Sequence, residues 1–315
     1  MPTGKLIFCV DVGGTRTKAG LVDLSHRKLL VQSVSDTCTN GFLPFLDTLA
    51  LRLDQLCHSA GVERALVTGC GIGLPGYVAG NWVSALWRGI AFLEGSHFLP
   101  AVEKRLGMPV RADNDARLVA LGESYFGGHP ASQRLLSLTL GSGLGFGLVV
   151  NGKLLEPTSV NHLSGHLPIR PVQEQCYCGF HGCLEMLTSS SGLLRAYRQA
   201  RQDLSRPSDL PGSQRRSAVK PEAVFESSLK GETAARQAVN QWLQDLSAGL
   251  NAYIYLFGPD LIVLGGGLSK GLTPWLPQLQ QAIFAAPYTG YQVRLVVSQI
   301  QEEAGILGAA VLFLD

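Results

Sequence analysis

The sequence predicts an α/β protein with two related domains that face each other across a cleft, on the basis of two patterns. Short apolar segments rich in β-forming residues alternate with segments of helical periodicity. In addition, a strand, a glycine-rich turn and a second strand occur at 6–22 and again at 135–150. The 315 residues, 46% of them hydrophobic, are enough to fill two cores. We expect one domain at 1–113 with 301–315 and the other at 114–300.

The first glycine turn follows the apolar strand 6–10 and reads Asp11-Val-Gly-Gly-Thr-Arg-Thr-Lys18. The residues after the glycines, 15–22, are too few and too rich in β-branched types for a helix, so they predict a return strand. A Walker loop or a dinucleotide-binding loop would instead lead from its glycines into a helix. The first turn is therefore predicted to be a hairpin.

The second glycine turn, Gly141-Ser-Gly143, lies between the predicted strands 135–140 and 145–150. Aligning Asp11 with Thr139 places Gly13 on Gly141, and this recurrence favours phosphate binding over two ordinary hairpins. The backbone N–H groups of two such turns on opposite walls can grip a polyphosphate. The candidate residues for phosphate and nucleotide are Asp11, Gly13, Gly14, Thr15, Thr17, Lys18, Thr139, Gly141, Ser142, Gly143 and the triple glycine Gly265, Gly266 and Gly267, which is otherwise a plain turn.

The other segments follow the same alternation of helices, strands and loops. Helices are predicted at 42–60, 99–106, 116–126, 186–202, 222–230, 232–256 and 305–312, strands at 108–112, 259–264 and 295–298, a strand from Ala65 into a loop that ends at Gly76, and loops at 81–88 and 205–221.

Three polar residues, Asp113-Asn114-Asp115, stand between the strand 108–112 and the helix 116–126. One interpretation is helix capping, because an Asp or Asn at a helix start binds free N–H groups. The other is catalytic, since a carboxylate at a strand end in the cleft can take a proton from a substrate hydroxyl. One cap is sufficient, so the other two residues need a different explanation.

Three cysteines lie close together in the segment 166–185, namely Cys176, Cys178 and Cys183, with His166 upstream. Three thiolates and one imidazole complete the tetrahedral set of a closed, structural Zn²⁺ site, and Gly179 and Gly182 permit the sharp turns it requires. His181 is the competing nitrogen ligand, ranked second because it is only two residues from Cys183. A disulfide or unused core cysteines are the alternatives, although any bridge would leave one thiol unpaired.

The net charge is only +2, which lacks the basic excess that a nucleic-acid binder needs. The cysteines number seven, and four of them are scattered in apolar surroundings, which suits a reducing compartment. The first apolar run is short and ends at Asp11, so no signal peptide is expected, and no run has the length of a membrane span. A cytoplasmic protein is expected.

The chain resembles the ROK family (repressors, open reading frames and kinases) over nearly its whole length. The Gly-His and Cys-x-Cys-Gly-x-x-Gly-Cys-x-Glu patterns at 165–185 carry the resemblance. Asp11-Val-Gly-Gly-Thr resembles the first phosphate motif of the family and Leu140-Gly-Ser-Gly-Leu-Gly the second. Gly265-Gly-Gly-Leu is similar to the adenosine motif, and Ala304-Gly-Ile-Leu-Gly-Ala-Ala to the closing helix.

This resemblance implies the actin/hexokinase-like (ribonuclease H-like) fold and an ATP-dependent kinase of a hexose or N-acetylhexosamine, with Mg²⁺ and a structural Zn²⁺. It implies zinc ligation by His166, Cys176, Cys178 and Cys183, and a homodimer. Asp115 is implied as the catalytic base that accepts a proton from a sugar hydroxyl, which is the 6-hydroxyl in the family pattern. The implied sugar-binding residues are Asn114, Asp115, His166, Glu185, Gly76 and Ser84.

Two positions depart from the family pattern. Leu163 stands where sugar kinases of the family usually have a Glu, three residues before His166, and His162 is a possible substitute. Ser84 stands where many members have a sugar-binding Asn, three residues before Trp87. These differences put the sugar preference in question and allow a second interpretation, a catalytically weak protein that senses sugar. A DNA-binding repressor is less favoured, because only ten residues precede Asp11.

Overall fold

The computed structural model of the protein describes residues 5–84, 86–129, 131–156, 160–204, 219–283 and 290–314. The chain divides into two compact units. The first consists of Met1–Ser137, Phe146–His162 and Gln299–Asp315, and the second of Leu138–Gly145 and Leu163–Ser298. The loop predicted at 205–221, with its pair of arginines, lies largely outside the described residues.

Strands and helices alternate in the described residues as the sequence predicts. The strands are β1 (Leu6–Val12), β2 (Arg16–Asp23), β3 (Lys28–Asp36), β4 (Val67–Leu74), β5 (Tyr77–Ala79), β6 (Trp82–Ser84), β7 (Val110–Asn114), β8 (Arg134–Leu140), β9 (Leu144–Val150), β10 (Lys153–Leu154), β11 (Leu261–Gly265) and β12 (Arg294–Val297). The helices are α1 (Phe42–Ala60), α2 (Phe98–Leu106), α3 (Asp115–Phe126), α4 (Leu184–Thr188), α5 (Ser190–Leu204), α6 (Pro221–Leu229), α7 (Thr233–Phe257), α8 (Leu276–Ala282) and α9 (Ala304–Val311).

Two sheets have the same internal order of strands within the described ranges. The first runs β3-β2-β1-β4-β7 and the second β10-β9-β8-β11-β12, so in each the first strand of the sheet lies third in order. The first sheet is antiparallel from β1 to β3 and parallel from β1 through β4 to β7. The internal repeat seen in the glycine turns thus extends to the topology of whole sheets.

The sequence-based prediction missed several elements. Strand β3 has an alternating exposed pattern typical of a sheet edge, and the predicted loop 81–88 begins with the strand β6, which forms a hairpin with β5. The helix predicted at 186–202 is interrupted at Ser189, whose extended backbone separates α4 from α5. The Ser189 hydroxyl accepts a hydrogen bond from Gly192 N and so caps the second helix.

The core of the first unit lies between its sheet and the helices α1 and α2, and includes Phe8, Leu53 and Phe98, which are fully buried. On the other side α9 packs against the sheet and against α3 through glycines. A Cβ atom at Gly308 would lie 1.8 Å from Leu118 O, and one at Gly71 would lie 2.2 Å from Ala309 O. Only glycine allows this approach, which brings the start of α9 to the ends of β1 and β4.

In the second unit the long helix α7 is buried along one side, with Trp242 and Tyr253 almost completely covered. The Trp242 indole donates to Thr188 O, and the Tyr253 hydroxyl donates to Ser164 O. These bonds connect α7 to the end of α4 and to the segment that leads to His166. In the part of the chain that the structure describes, no helix is both long and apolar enough to cross a bilayer.

Candidate active site

The first glycine turn is a tight hairpin between β1 and β2, as the sequence predicts. Gly13 N donates to Arg16 O at 2.9 Å, and a Cβ atom at Gly13 would lie 2.7 Å from that oxygen. Gly14 and Thr15 at the tip are exposed, and a Cβ atom at Gly14 would have no neighbour within 4 Å. The tip therefore has room for an approaching ligand.

Hydrogen bonds from the segment after β3 hold the base of this hairpin. The Thr37 hydroxyl donates to Gly13 O at 2.7 Å and lies 3.0 Å from the Thr17 hydroxyl. Thr37 N donates to Thr15 O. Lys18 points away from the tip, because its Nζ donates to Glu302 O at 3.1 Å. Thr17 therefore supports the hairpin in this structure and Lys18 is bound to the segment before α9, and a role of either in phosphate binding remains a prediction.

The second turn joins β8 to β9, again as predicted. Gly141 N donates to Gly143 O at 3.0 Å, Ser190 N donates to Gly141 O, and Ser142 at the tip is exposed. A Cβ atom at Gly141 would have no neighbour within 4 Å. Each of the two turns thus has, at its tip, a glycine without positive φ and with free space around it. Thr139 lies half-buried on β8.

The triple glycine follows β11 and packs against the end of β8. Gly266 has a φ of +82°, and a Cβ atom there would lie 2.5 Å from Leu140 O. Leu268 N donates to the same oxygen at 3.0 Å. Gly265 is buried, whereas Gly267 has no neighbour within 4 Å of a Cβ position. The turn therefore needs glycine at 266, and its open side lies at 267.

The three polar residues between β7 and α3 have different roles. Asn114 is the helix cap, since its Oδ1 accepts from Ala116 N at 3.0 Å and from Arg117 N at 3.2 Å. Asp113 is paired with the buried Arg117, whose Nε donates to Asp113 Oδ1 at 2.7 Å. Capping thus explains Asn114 and an ion pair explains Asp113. Asp115 remains as the candidate for chemistry.

Asp115 lies close to Asp11, across the end of β4, which separates β1 from β7 in the sheet. A Cβ atom at Gly73 would lie 3.5 Å from the Asp115 Cα and 3.6 Å from Asp11 Oδ1. Burial, and next the charge of Asp11, raise the pKa of Asp115 to about 7, against hydrogen bonds that include one from Ala116 N. Burial also raises the pKa of Asp11, although Lys18 opposes this. The side chain of Asp115 can therefore gain or lose a proton near neutral pH.

Gly76 and Ser84, which were predicted near a sugar, lie on either side of the β5–β6 hairpin. Gly76 is buried and its carbonyl accepts from Asn114 Nδ2 at 2.9 Å. Ser84 is half-buried and pairs with Tyr77. The ring of Tyr77 also stacks on His162, with centroids 6.1 Å apart. Gly76 is thus linked directly to Asn114, and His162 lies beside the same hairpin.

The predicted metal ligands meet in one cluster of the second unit. The ligand atoms of His166, Cys176, Cys178 and Cys183 all lie within 4.8 Å of one another. Cys176 Sγ is 3.5 Å from His166 Nδ1, and Cys178 Sγ is 3.5 Å from Cys183 Sγ. Tetrahedral Zn²⁺ with Zn–S bonds near 2.3 Å requires separations of about 3.8 Å, so these residues fit the ion. No cysteine is in a disulfide among the described residues.

His166, and not His181, is the nitrogen in this cluster. His181 Nδ1 lies 3.1 Å from Val172 O and so contacts the backbone instead. The two glycines of the loop have positive φ values, +94° at Gly179 and +70° at Gly182. A Cβ atom at Gly182 would lie 1.6 Å from Arg170 O, so no other residue fits there. The turns inferred from these glycines are therefore confirmed.

Glu185 lies two residues after Cys183, the last residue of the cluster, at the start of α4. Its Oε2 accepts from Leu144 N at 2.9 Å, and its Oε1 accepts from the Tyr177 hydroxyl at 2.8 Å. Leu144 is the residue after the second glycine turn, so Glu185 connects this turn with the segment 166–183 that carries the cluster, called the metal loop below. Thr139, Gly141–Gly143, His166, Glu185 and the triple glycine all belong to the second unit, and Asp11–Lys18, Gly76, Ser84, Asn114 and Asp115 to the first.

Sequence reasoning missed three residues that support these sites. Arg117 was detectable, because Asp and Arg four residues apart at a helix start commonly pair. Thr37 was not, since nothing local links it to hairpin residues that lie 20 and 24 positions earlier. Tyr177 was not either, because its contact with Glu185 depends on the path of the cysteine loop.

The sequence model described as "ROK family" matches residues 7–315. A glucokinase from Thermotoga maritima is 30% identical over 98% of this chain and 97% of its own length. The DNA-binding transcriptional repressor Mlc of Escherichia coli is 26% identical, over 94% of this chain and 72% of its own length.

Among solved structures, the fold matches that of a ROK family glucokinase from Streptomyces griseus in complex with glucose and AMPPNP. The TM-score is 0.77, the sequence identity is 26%, and the match covers 98% of each chain. The mixed α/β fold expected from the sequence is thereby confirmed, together with a Cys/His cluster that can hold zinc.

Proposed function

Because the chain belongs to the ROK family, we propose that it is an ATP-dependent sugar kinase that transfers the γ-phosphate of ATP to a hydroxyl of a hexose or N-acetylhexosamine. The 6-hydroxyl is the proposed acceptor. The observation that carries this proposal is the half-buried Asp115 carboxyl at the start of α3, beside Asp11 and with a pKa of about 7. The similarity to glucokinases supports the reaction class.

Asp115 is proposed as the general base. A carboxylate with a pKa near the working pH holds a sugar hydroxyl by a hydrogen bond and accepts its proton during transfer. Phosphoryl transfer otherwise needs positioning and charge neutralisation more than covalent chemistry from the protein. The position of Asp115 is well defined, because hydrogen bonds of Asn114 and Arg117 hold the backbone on either side of it.

The nucleotide is proposed to bind through backbone N–H groups of the two glycine turns, 13–15 and 141–143. Their tips are exposed and have room for phosphate oxygens. The triple glycine 265–267 is proposed to meet the adenosine. Asp11 would help to hold the Mg²⁺ that accompanies ATP, through water. A divalent ion near Asp11 would also offset the repulsion between the two carboxylates.

The sugar is proposed to contact Asn114, Asp115, His166 and Glu185, with Gly76 and Ser84 nearby. Asn114 would have to exchange a bond, because its Nδ2 also donates to Leu74 O and Gly76 O. In the metal loop, His166 uses Nδ1 toward the sulfur atoms, so its other nitrogen can serve a ligand. Zinc, when bound, would hold this loop in shape, since three thiolates and one imidazole close its coordination.

We also propose a homodimer in the cytoplasm, where ATP is available and thiols stay reduced. No nucleic acid is proposed as a partner, in line with the net charge of +2. Sedimentation of the purified protein, with and without DNA, tests both statements.

An assay of ADP release tests the kinase proposal over glucose, mannose, fructose, allose, N-acetylglucosamine and N-acetylmannosamine. We expect sugar-dependent ADP release with at least one of them. Asp115→Asn should lower kcat by about 10²–10⁴-fold, the usual contribution of a general base, while nucleotide binding persists. Turnover by Asp115→Asn at the wild-type rate would refute the role of Asp115.

A second candidate is a catalytically weak, sugar-sensing regulator. It is favoured by the full use of the Asn114 amide within the protein and by the similarity to a repressor. The same sugar panel separates the two, because a sensor would show sugar-dependent thermal stabilisation without sugar-dependent ADP release.

A further inference from the structure

An exposed aromatic residue, Tyr177, stands on the metal loop between Cys176 and Cys178. It is 82% exposed, yet both parts of its side chain have partners. Its hydroxyl donates to Glu185 Oε1 at 2.8 Å, and its ring meets the His166 ring edge-on, with centroids 4.7 Å apart and planes at 87°. Tyr177 therefore touches two of the residues proposed to hold the sugar.

The loop backbone holds Tyr177 in this position. Gly179 N donates to Cys176 O at 2.9 Å, and Cys176 N donates to Phe180 O at 2.7 Å. The residues on either side of Tyr177 also belong to the cysteine cluster. Its backbone is thus restrained from both sides, while the bond to Glu185 and the ring contact with His166 set the direction of the phenol.

Glu185 is consequently held at both carboxylate oxygens, each in a different way. Oε2 accepts from a backbone group, Leu144 N, whereas Oε1 accepts from the Tyr177 side chain. An ionised carboxylate has about four acceptor positions, so these two bonds leave room for a ligand hydroxyl. Without the Tyr177 bond, the carboxylate could rotate about its single remaining anchor.

We propose that Tyr177 is a positioning and specificity residue of the sugar site, which fixes the Glu185 carboxylate for one sugar hydroxyl. This inference rests on the proposed function of the same site. A site built to bind a hydroxyl discriminates strongly against an analogue that lacks it, and that discrimination depends on how firmly its acceptor is held. Tyr177 would thus affect sugar recognition and leave ATP binding unchanged.

The test compares Tyr177→Phe with Phe180→Ala. Phe180 is exposed on the same loop, at 63%, so its variant controls for a side-chain change on this loop that leaves the bond from Tyr177 to Glu185 in place. Tyr177→Phe should raise the sugar KM by about tenfold, as expected for one bond to a charged group, and keep kcat and the ATP KM within about twofold. It should also reduce the preference for the best hexose over its single-deoxy analogues. Phe180→Ala should match the wild type.

A sugar KM within twofold of the wild type in Tyr177→Phe, or an equal rise in the ATP KM, would overturn the inference and leave the kinase proposal intact. The contact itself is tested without sugar, by the thermal unfolding of Tyr177→Phe, Glu185→Gln and the double variant. We expect the shifts to be non-additive, and additive shifts would also overturn the inference. If the wild type neither binds nor phosphorylates any sugar, both proposals fail together.

Discussion

At the scale of single residues, the two neighbouring carboxylates Asp11 and Asp115 are the most unusual feature of the first unit. Burial and the charge of Asp11 hold the Asp115 pKa near 7, so at neutral pH a large share of the molecules carries a proton there. A general base must be deprotonated to accept a proton. Acid should therefore inactivate the enzyme by protonating the Asp115 carboxylate.

We predict that kcat/KM for the sugar falls about tenfold per pH unit below a midpoint that burial keeps above the ordinary Asp range, and that Mg²⁺ beside Asp11 moves somewhat below 7 by weakening the repulsion between the two carboxylates. The measurement is a pH–rate profile at saturating ATP and Mg²⁺, with Asp47→Asn as a control, because Asp47 is exposed. That variant should keep the wild-type profile. A rate that stays constant between pH 5.5 and 8, as chosen assay limits on either side of the midpoint, would argue against Asp115 as the base.

The Asp115 carboxyl should also change the folding stability with pH, but in the opposite direction: activity is lost in acid, whereas stability is lost as the pH rises. Because its folded pKa is raised above the ordinary value near 3.9, the folded state keeps the proton more firmly than the unfolded state between about pH 4 and 7. The stability that Asp115 contributes in acid is therefore lost as the pH rises through this window. Asp115→Asn removes the titration and should unfold at higher denaturant concentration than the wild type at pH 8.

The expected gain at pH 8 is on the order of 1–4 kcal/mol, and it should shrink toward pH 5. Urea unfolding of both proteins at the two pH values measures it. Asp47→Asn provides a control whose difference from the wild type should not change with pH. A stability gap for Asp115→Asn that is the same at pH 5 and pH 8 would mean that this carboxyl is not held near a pKa of 7.

At the scale of elements, the four ligand residues at 166–183 can hold one zinc ion, which would tie the cysteine loop together. Cys178→Ser should lower the zinc content from about one per chain to well below one and lower the unfolding temperature, because structural zinc contributes folding free energy directly. Cys38→Ser is the matched control, since Cys38 lies outside the cluster. Elemental analysis and calorimetry give the two measurements, and a wild type without zinc would contradict this.

The glycine turns offer a test of phosphate binding that does not disturb folding. A methyl group at Gly14 or Gly141 meets no atom within 4 Å, and neither residue has a positive φ. Gly14→Ala and Gly141→Ala should therefore keep the wild-type unfolding temperature. If phosphates approach these backbones, the same methyl groups should raise the ATP KM by roughly tenfold and affect the sugar KM less. An unchanged ATP KM in both variants would show that nucleotide phosphates do not approach these tips.

Local sequence patterns predicted most elements, and the misses have physical causes. The hairpins were predictable because glycines separate two short runs of β-forming residues, and the metal cluster because cysteine spacing limits its geometry. Strand β3 carried only a short local signal, the apolar run 29–31 with Val34, and this signal was not used. The break at Ser189 also had a local signal, because a serine can cap a helix and Ser189 accepts from Gly192 N, whereas the bond from Trp242 to the adjacent Thr188 O depends on the fold.

At the scale of the whole molecule, the repeated pattern of strand, glycine turn and strand at 6–22 and 135–150 corresponds to two sheets with the same strand order. Two glycine turns in the sequence predicted two related domains, and the two sheets have the same order of strands within the described residues. Side-chain contacts over long sequence distances could not be predicted in the same way. The approach of Gly305 to Asp11, where a Cβ atom would lie 3.0 Å from Oδ2, depends on how α9 packs on the sheet. Such contacts follow only from the assembled fold.

The division into two compact units predicts which parts of the protein should be destabilised when the cysteine cluster cannot hold a metal. All four residues of the cluster, and the partners of Glu185 and Tyr177 beside it, belong to the second unit. The hairpin of β1 and β2 and the helix α9 have their own core and glycine packing in the first. Hydrogen exchange with mass spectrometry, on wild type and on Cys178→Ser, should therefore show faster exchange in the peptides that cover 166–193. Peptides from 6–23 and 304–311 should keep wild-type protection, since local opening follows cooperative units and not the chain as a whole. Equal deprotection of all these peptides would show that the two units unfold as one, and the metal would then stabilise the entire protein.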